Sequence, residues 1–410
     1  MLLFVDDRAA THAERARASG AVEPSRWRPL FPLADRCIFL DHAGMAPISQ
    51  PVREAIERFA AEALLEMPQR YPWWEEQAEE TRRACAGLVG CEPHQVAFVK
   101  NTTEGLSFVA EGLDLRSGDV VVVADREFPS NVYPWWGLRR LGVEVRMLEV
   151  GEGGFCAEDL APLLESLAGR VRAVALSAIS YGNGDRLDLP ATAALCRDHG
   201  AFLVVDGIQA IGAVEVDVRR DGVDCIVADG HKWLCAPEGC GLLALSDRLV
   251  ERLRPTQLGW KSVMEPANYH PYDFRLRPDA ARLEAGSLNF LGIQALGAAV
   301  DLARRIGPAE IESRLAAITR AFADGLEARG YRLVGRRWQT GTNSNGSAVS
   351  GIVTFVPRGP AERVRQELWE RGAVTKVRFG GLRLAPHHYQ DCRDVDAFLA
   401  ALDAAEERLA

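Results

Sequence analysis

Two short apolar runs that end in charged residues constrain the fold of this chain more than any other feature. Residues 202–205 (FLVV) lead to Asp206, and residues 224–228 (DCIVA) lead to residues 229–232 (DGHK). Runs of this kind, bounded by glycine and charge, are typical of buried strands in a parallel sheet, and the carboxyl ends of such strands open into a crevice. The sequence therefore predicts an α/β fold in which Asp206 and Lys232 lie on different strands and face one pocket.

An aspartate and a lysine that share a pocket suit pyridoxal phosphate as a cofactor. The lysine amine bonds covalently to the cofactor aldehyde, and the carboxylate keeps the pyridine nitrogen protonated so that the ring accepts electrons. Only four of the 48 lysines and arginines are lysines, and arginine cannot take this role because its guanidinium stays protonated. The one serious alternative, Lys261, follows a Gly-Trp turn in a polar segment, where a lysine is normally solvated. The sequence therefore indicates Lys232.

The composition is that of a globular protein with more than one domain. The chain has 410 residues, of which 48% are hydrophobic and 26% charged. Its net charge of −9 argues against a nucleic-acid partner, which usually needs a basic surface. No apolar run is long enough to span a bilayer, and the N-terminus lacks a signal-peptide layout, so we expect a cytoplasmic protein without a membrane partner.

The cysteines give no sign of a disulfide framework or a metal site. There are nine of them, scattered along the chain, and none forms a CxxC pair. An odd number of isolated cysteines in a cytosolic chain predicts ordinary reduced thiols, and we expect no bound metal.

Hydrophobic periodicity places the remaining elements. Residues 51–65 are expected to be a helix, and the aromatic segment 71–74 (YPWW) to interrupt the pattern before a second helix that ends at Gly90. Further strands are predicted at residues 95–99, 119–124 and 172–179, with a returning antiparallel strand at 240–245. Beyond residue 307, helices and strands alternate around a loop at 341–350 that is rich in glycine, asparagine and serine, which indicates a small α/β domain.

Two segments resemble a known family. Asp206-Gly207-Ile208-Gln209 and Gly230-His231-Lys232-Trp233 are similar to segments of the class V aminotransferases, pyridoxal-phosphate enzymes that include cysteine desulfurases, selenocysteine lyase, kynureninase and isopenicillin N epimerase-like proteins. The resemblance extends from about Phe39 to Tyr389. It implies fold type I, with a mainly parallel seven-stranded sheet in a large domain and a small α/β C-terminal domain. We expect an N-terminal arm at residues 1–36 that packs with the small domain, the large domain at 37–295 and the small domain at 296–410.

The resemblance also implies the residues that hold the cofactor. Lys232 is the catalytic lysine, Asp206 contacts the ring nitrogen, and Gln209 bonds to the phenolic oxygen. Thr102 and Thr103, in a T-T-E-G segment that opens a helix, are assigned to the phosphate, and His231 neighbours it.

Three further residues follow from the same resemblance. Phe128 takes the place of the histidine that stacks on the ring in desulfurases, and it can stack but not transfer protons. Ser287, in the segment Glu284-Ala285-Gly286-Ser287, is expected to cap the phosphate of a neighbouring subunit, which favours a homodimer with composite active sites. Arg383 is expected to bind the substrate α-carboxylate through its bidentate guanidinium.

Several positions leave alternatives open. Asp229 stands where relatives often carry a serine or threonine, and a carboxylate there repels a phosphate dianion unless it is protonated or turned away. Tyr181 aligns with an asparagine of the desulfurases, and Asn183 either substitutes for it or is only a turn residue. His42 lies in a turn that is near the substrate in the family, or it is a packing residue.

These features predict an enzyme that acts on an amino acid through a carbanion at Cα. Desulfurases need a cysteine nucleophile shortly before the substrate-binding arginine, and no cysteine occurs between Leu333 and Arg383. We therefore expect a C–S lyase that eliminates sulfur from a cysteine-derived amino acid. An isopenicillin N epimerase-like epimerase and an aminotransferase are the alternatives, and a non-catalytic protein that binds the cofactor is a further one.

Overall fold

A computed structural model describes residues 22–151, 157–167, 169–335 and 350–409. Its main feature is a seven-stranded sheet with the order β2-β8-β7-β6-β5-β3-β4. The strands of this sheet are β2 (Val96–Val99), β3 (Val120–Ala124), β4 (Glu144–Leu148), β5 (Val171–Ser177), β6 (Phe202–Asp206), β7 (Cys225–Asp229) and β8 (Gly241–Leu245).

The pairing of these strands confirms the predicted α/β fold. All pairs are parallel except those of β8, which runs antiparallel to both β2 and β7. Strands β2, β3, β7 and β8 are buried along their whole length, so they consist almost entirely of apolar residues. The predicted antiparallel strand at 240–245 is thus confirmed, and Asp206 and Asp229 are the last residues of the neighbouring strands β6 and β7.

A second group of strands is formed by the C-terminal part of the chain. The strands β9 (Arg332–Val334), β10 (Val353–Val356), β12 (Lys376–Arg378) and β13 (Gly381–Leu384) form an antiparallel sheet. The first strand, β1 (Ile38–Phe39), pairs in parallel with β11 (Ala373–Val374), which brings the turn after β1 beside this region. The division of the chain at residues 36 and 295 stays a prediction, as do the roles of the segments at 1–21 and 341–349, which lie outside the described residues.

Helices cover the sheets. Their bounds are Gln50–Leu65, Tyr71–Leu88, Thr102–Gly112, Tyr133–Gly137, Ala157–Ser166, Leu189–Asp198, Asp247–Val250, Phe290–Ile306, Pro308–Glu327, Ala361–Glu370 and Cys392–Leu409. The apolar helix Phe290–Ile306 packs against the two helices at Gln50–Leu65 and Tyr71–Leu88.

The aromatic segment at 71–74 was expected to interrupt the helical pattern. It instead forms the start of a helix, which begins at Tyr71. Pro72 lies in the first turn, where its missing N–H would have had no helical partner anyway. The Trp74 indole donates a hydrogen bond of 2.9 Å to Glu62 of the preceding helix, and the Tyr71 ring meets Phe290 edge-on. The segment is therefore a packing element, because its rings fix the angle between helices.

The cysteines and the possible metal ligands can be examined only within the described residues. Eight of the nine cysteines lie in the described part of the chain, and all eight are free thiols. Within the same ranges there is no cluster of three or more histidine, cysteine or acidic residues that could hold a metal ion. None of the helices that can be described is long and apolar enough to cross a membrane, and the cytoplasmic location stays a prediction.

Candidate active site

Asp206 and Lys232 lie at the carboxyl ends of two adjacent parallel strands. Asp206 ends β6, and Lys232 follows β7 by three residues in a tight turn. The Asp206 carboxylate accepts a hydrogen bond of 3.0 Å from the Ile208 N–H, which fixes its direction. Residue 207, between Asp206 and Ile208, has to be glycine, since a Cβ there would lie 2.5 Å from the Ile226 side chain.

The environment of Lys232 favours its uncharged amine. The pKa of Lys232 is lowered from 10.5 to about 8, because burial, together with the charge of Arg383, lowers it by more than Asp206, Asp229 and Asp41 raise it. A lysine with this pKa presents an appreciable fraction of neutral, nucleophilic amine near pH 8. By contrast, Lys261 donates a hydrogen bond of 2.8 Å to Glu75 away from this site.

The Asp206 carboxyl is perturbed in the opposite sense. Burial raises the pKa of Asp206 to about 6, whereas the Ile208 N–H and the charge of Lys232 lower it. The nearby charge of Lys232 is therefore not close enough to offset the burial of the carboxylate. A cationic group placed between the two would stabilise the anion, which is what a protonated ring nitrogen supplies.

Phe128 stands on the open side of Lys232. Its ring is 43% exposed, and its centroid lies 5.9 Å from the Lys232 Nζ. The Tyr181 ring meets Phe128 edge-on at 5.4 Å, and Phe379 meets Tyr181 in the same manner. The three rings form one contiguous aromatic cluster, in which Phe128 is the member that lies beside the lysine.

The helix Thr102–Gly112 begins at the same edge of the sheet. Asn101 caps it by accepting the Glu104 N–H, and the Thr102 hydroxyl accepts the Asp229 N–H at 3.1 Å. Gly105 lets the helix approach β7 closely, since a Cβ there would lie 2.4 Å from the Val227 side chain. The free N–H groups and positive dipole end of this helix therefore lie beside β7, where an anion is stabilised.

The two threonines of this helix differ in setting. Thr102 is buried and tied to the end of β7, whereas the exposed Thr103 donates a hydrogen bond to Ser130 in the turn that carries Phe128. Asp229 Oδ2 lies 3.1 Å from His231 Nδ1, whereas Asp229 Oδ1 is buried without a hydrogen-bond partner among the described residues. Both alternatives for Asp229, a protonated carboxyl and one turned away from the phosphate, therefore stay predictions.

Gln209 and His42 connect the sheet to the C-terminal region. The Gln209 amide oxygen accepts the Trp233 indole N–H at 2.8 Å, and its NH2 group donates to the Ala43 carbonyl at 2.9 Å. His42 is completely buried between the Ala385 carbonyl and the Tyr389 hydroxyl, each 2.7 Å from a ring nitrogen, and burial lowers its pKa well below 6.5. Of the two readings of His42, the structure favours the packing residue.

Arg383 is buried at the C-terminal side of the pocket with a counter-charge that the sequence analysis did not identify. One guanidinium nitrogen donates to Asp41 at 2.5 Å and the other to the Tyr181 carbonyl at 2.8 Å. Asp41 lies two residues beyond β1, and an acidic residue near a strand end is the signal that could have found it. Asn183 donates to Asp185 at 2.7 Å, in keeping with its reading as a turn residue.

Glu127 was also missed. It precedes Phe128, and its carboxylate accepts hydrogen bonds from the N–H and the hydroxyl of Ser177, the residue paired with Asp206 in the sheet. Burial raises the pKa of Glu127 to about 7, the charge of Asp206 raises it too, and the Ser177 hydrogen bonds lower it. Its position just beyond β3, at the same edge as Asp206, was the available signal.

Ser287 is separate from this group within one subunit. It is exposed in the segment before the helix Phe290–Ile306, and none of the hydrogen bonds described for the chain links it to the pocket. A role for Ser287 thus requires a second subunit, and both the dimer and the composite site stay predictions.

The donor set fits pyridoxal phosphate. A lysine of lowered pKa, a buried carboxylate, an exposed ring near the lysine and a helix N-terminus beside the end of β7 lie at one edge of the sheet, and these are groups for an aldehyde, a ring nitrogen, a ring face and a phosphate. The Arg383 Nε, buried and without a hydrogen-bond partner, adds a donor for a carboxylate.

Comparisons with known proteins identify the family. The family described as Aminotransferase class-V matches residues 38–372. A probable cysteine desulfurase of Methanothermobacter thermautotrophicus is 32% identical over 318 residues, which cover 73% of this chain and 76% of that protein.

Solved structures share the fold. The apo cysteine desulfurase of Thermococcus onnurineus NA1 superimposes with a TM-score of 0.80 at 24% identity, covering 92% of this chain and 96% of that one. The cystine C–S lyase C-DES, in complex with its reaction product cysteine persulfide, gives 0.82 at 23% identity, covering 91% and 98%. The sheet is accordingly that of fold type I. The chain belongs to the class V aminotransferase family of pyridoxal-phosphate-dependent enzymes.

Proposed function

We propose that this protein is a pyridoxal-phosphate-dependent C–S lyase that acts on a cysteine-derived amino acid by β-elimination. The observation that carries the proposal is Lys232, whose burial lowers its pKa to about 8 beside Asp206 and Phe128 at the edge of the sheet. The named activity of C-DES, a lyase of the same fold, and the desulfurase names of other relatives support sulfur chemistry.

Each residue of the pocket has one task in this proposal. Lys232 holds the cofactor, Asp206 keeps its ring nitrogen protonated, and Phe128 covers one face of its ring. Thr102, Thr103 and the helix that they open bind the phosphate, with His231 beside it, and Gln209 offers its second amide hydrogen to the phenolic oxygen. Ser287 caps the phosphate across the interface of a homodimer. When bound, the cofactor withdraws electrons from the substrate Cα and so makes its C–H bond acidic.

The elimination requires a base for Cα and a leaving group at Cβ. Once the substrate amine has replaced it, the Lys232 amine is free to accept the Cα proton, and its lowered pKa suits a base at neutral pH. The Cβ–S bond then breaks with its electron pair on sulfur, and water converts the remaining three-carbon fragment into pyruvate and ammonia. Arg383 holds the α-carboxylate so that the Cα proton faces the lysine.

The cysteines of the chain do not favour a desulfurase. None lies between Leu333 and Arg383, and burial raises the pKa of Cys85, Cys91 and Cys196 to about 12. A thiol with such a pKa is a poor nucleophile because almost none of it is thiolate at neutral pH. We therefore propose that sulfur leaves with its substituent and does not become bound to the protein.

The proposal is tested on purified protein that has been loaded with pyridoxal phosphate. We expect an absorption band in the near ultraviolet or violet that borohydride removes, and a cofactor adduct on the peptide that contains Lys232. A panel of cysteine, cystine and S-substituted cysteines should release pyruvate together with a thiol or persulfide.

Lys232→Ala should lower turnover by about a thousandfold or more, because it removes both the cofactor link and the base. Lys261→Ala is the matched control and should retain activity, since Lys261 pairs with Glu75 instead. Loss of the amino group without sulfur release would favour an aminotransferase, and inversion at Cα an epimerase. A cofactor band without turnover of any amino acid would indicate a non-catalytic binding protein.

A further inference from the structure

The carboxylate of Asp41 occupies the guanidinium that the substrate needs. The Asp41 Oδ1 lies 2.5 Å from Arg383 Nη2, and the Arg383 side chain is only 1% exposed, whereas that of Asp41 is 17% exposed. Asp41 is therefore the more exposed partner of the pair. Within the described part of the chain the Arg383 Nε has no hydrogen-bond partner, but a substrate carboxylate that binds Nε and Nη2 together has to displace Asp41 from Nη2.

The turn after β1 is built for this contact. Asp41 forms a bridge with Ala385, two residues beyond Arg383, so the two backbones are adjacent. The chain then turns back at Gly44, whose N–H donates to the Asp41 carbonyl at 2.9 Å. A Cβ on Gly44 would lie 2.6 Å from the second Asp41 carboxylate oxygen. The absence of a side chain at residue 44 is thus what leaves room for the carboxylate.

Asp41 gives Arg383 the same counter-charge that the carboxylate of a bound substrate would give. Burial lowers the pKa of Arg383, and Asp41 opposes that shift, so the buried guanidinium depends on this one carboxylate for its counter-charge. A substrate α-carboxylate supplies the same chemistry. The two carboxylates cannot share the guanidinium without repelling each other in a poorly solvated site.

We propose that Asp41 is an internal competitor of the substrate carboxylate. In the empty enzyme it neutralises Arg383, and it leaves the guanidinium when an α-amino acid binds. The proposal rests on the proposed role of Arg383 and adds to it a residue that sets affinity and specificity. Every carboxylate ligand has to break the bond between Asp41 and Arg383, and the free energy of breaking this bond weakens the binding of that ligand.

Displacement also selects for a zwitterion. The charge of Asp41 already acts on Lys232, whose pKa it raises, so the aspartate lies within electrostatic reach of the reacting amine. Once it is released from Arg383, Asp41 is an uncompensated anion beside the incoming ligand. An α-amino acid brings an ammonium group that offsets this anion, whereas a simple carboxylate brings none. We therefore infer that the site takes amino acids and rejects simple carboxylates.

The test compares ligands with and without a carboxylate on the holoenzyme. Glycine and methylamine are titrated against the absorption spectrum of the wild type and of Asp41→Asn, and each apparent Kd is determined. We expect Asp41→Asn to bind glycine about tenfold more tightly, since the competing charge-assisted bond is gone. Methylamine affinity should change by less than twofold. Acetate, added as a competitor of glycine, should inhibit the variant at lower concentrations than the wild type.

Gly44→Ala provides a second route, because it pushes the Asp41 carboxylate away without removing its charge. It should also tighten glycine binding. Unchanged or weaker glycine binding by Asp41→Asn, or an equal change for methylamine, overturns the proposal. Arg383→Gln separates it from the proposed function: if the wild-type preference for glycine over methylamine survives in this variant, it is the assignment of Arg383 that has failed.

Discussion

The site contains two pairs of opposite charge that are built differently. Asp206 and Lys232 lie on adjacent strands of one sheet, make no direct ion pair, and both have pKa values that burial moves towards neutrality. Asp41 and Arg383 come from the two ends of the chain and are in direct contact at 2.5 Å. In the functions proposed above, the cofactor lies between the members of the separated pair, Asp206 and Lys232, and the closed pair, Asp41 and Arg383, opens when a substrate carboxylate binds.

The largest expected difference between the two pairs comes from making the same substitution, aspartate to asparagine, in each. Asp206→Asn should lower kcat by about a hundredfold or more, because an amide cannot keep the ring nitrogen protonated. Asp41→Asn should instead tighten amino-acid binding, as argued above. Steady-state kinetics of the two variants measure the contrast, and similar losses in both would show that the two carboxylates do not have distinct roles.

A smaller effect is expected from the coupling of Glu127 to Asp206. Because burial raises the pKa of Glu127 from 4.5 to about 7, the folded protein holds a proton that the unfolded chain has lost between these values. The resulting stability is present below pH 4.5 and is lost as the pH rises through 7. Relative to Glu127→Gln, the cofactor-free wild type should therefore lose on the order of 2 kcal/mol over this range. Urea unfolding at several pH values measures the difference.

The comparison with Glu127→Gln also tests whether Glu127 titrates beside Asp206, a member of the separated pair. The Gln variant cannot ionise, so the difference between the two proteins isolates the titration of Glu127 from that of other groups. A difference in unfolding free energy that does not change between pH 4.5 and 7.5 would contradict the raised pKa. Glu127 would then be no more than a structural bond to Ser177.

The smallest expected effect distinguishes the two threonines at the phosphate end of the separated pair. Thr102→Ala should cost about 1 kcal/mol of folding stability, because it leaves the buried Asp229 N–H without an acceptor, and it should weaken the cofactor. The exposed Thr103→Ala should weaken the cofactor by a few-fold with little loss of stability. Urea unfolding and cofactor titration measure both, and an equal stability loss would contradict the difference in their settings.

Both residues of the separated pair, Asp206 and Lys232, could be identified from the sequence. The apolar runs that precede Asp206 and residues 229–232 have the composition of buried parallel strands, and the structure confirms both strands and their common edge. The scarcity of lysine made Lys232 identifiable at the same stage. The interpretation of residues 71–74 was wrong, because the helix begins at Tyr71 with Pro72 in its first turn, and Trp74 packs on the preceding helix through a hydrogen bond to Glu62.

The sequence by itself determined the α/β class, the strands of the large sheet and the family, because buried strands and strand-end motifs are local features, and from these it predicted the residues of the cofactor pocket. Only the tertiary structure revealed that Asp41 forms an ion pair with Arg383, 342 residues away along the chain. It also revealed that Glu127 bonds to Ser177 at the edge of the sheet where Asp206 lies. It alone also gave the pKa values, since burial depends on what the rest of the chain packs around a charge. Local patterns therefore specify the parts of the site, and long-range packing specifies their charge state.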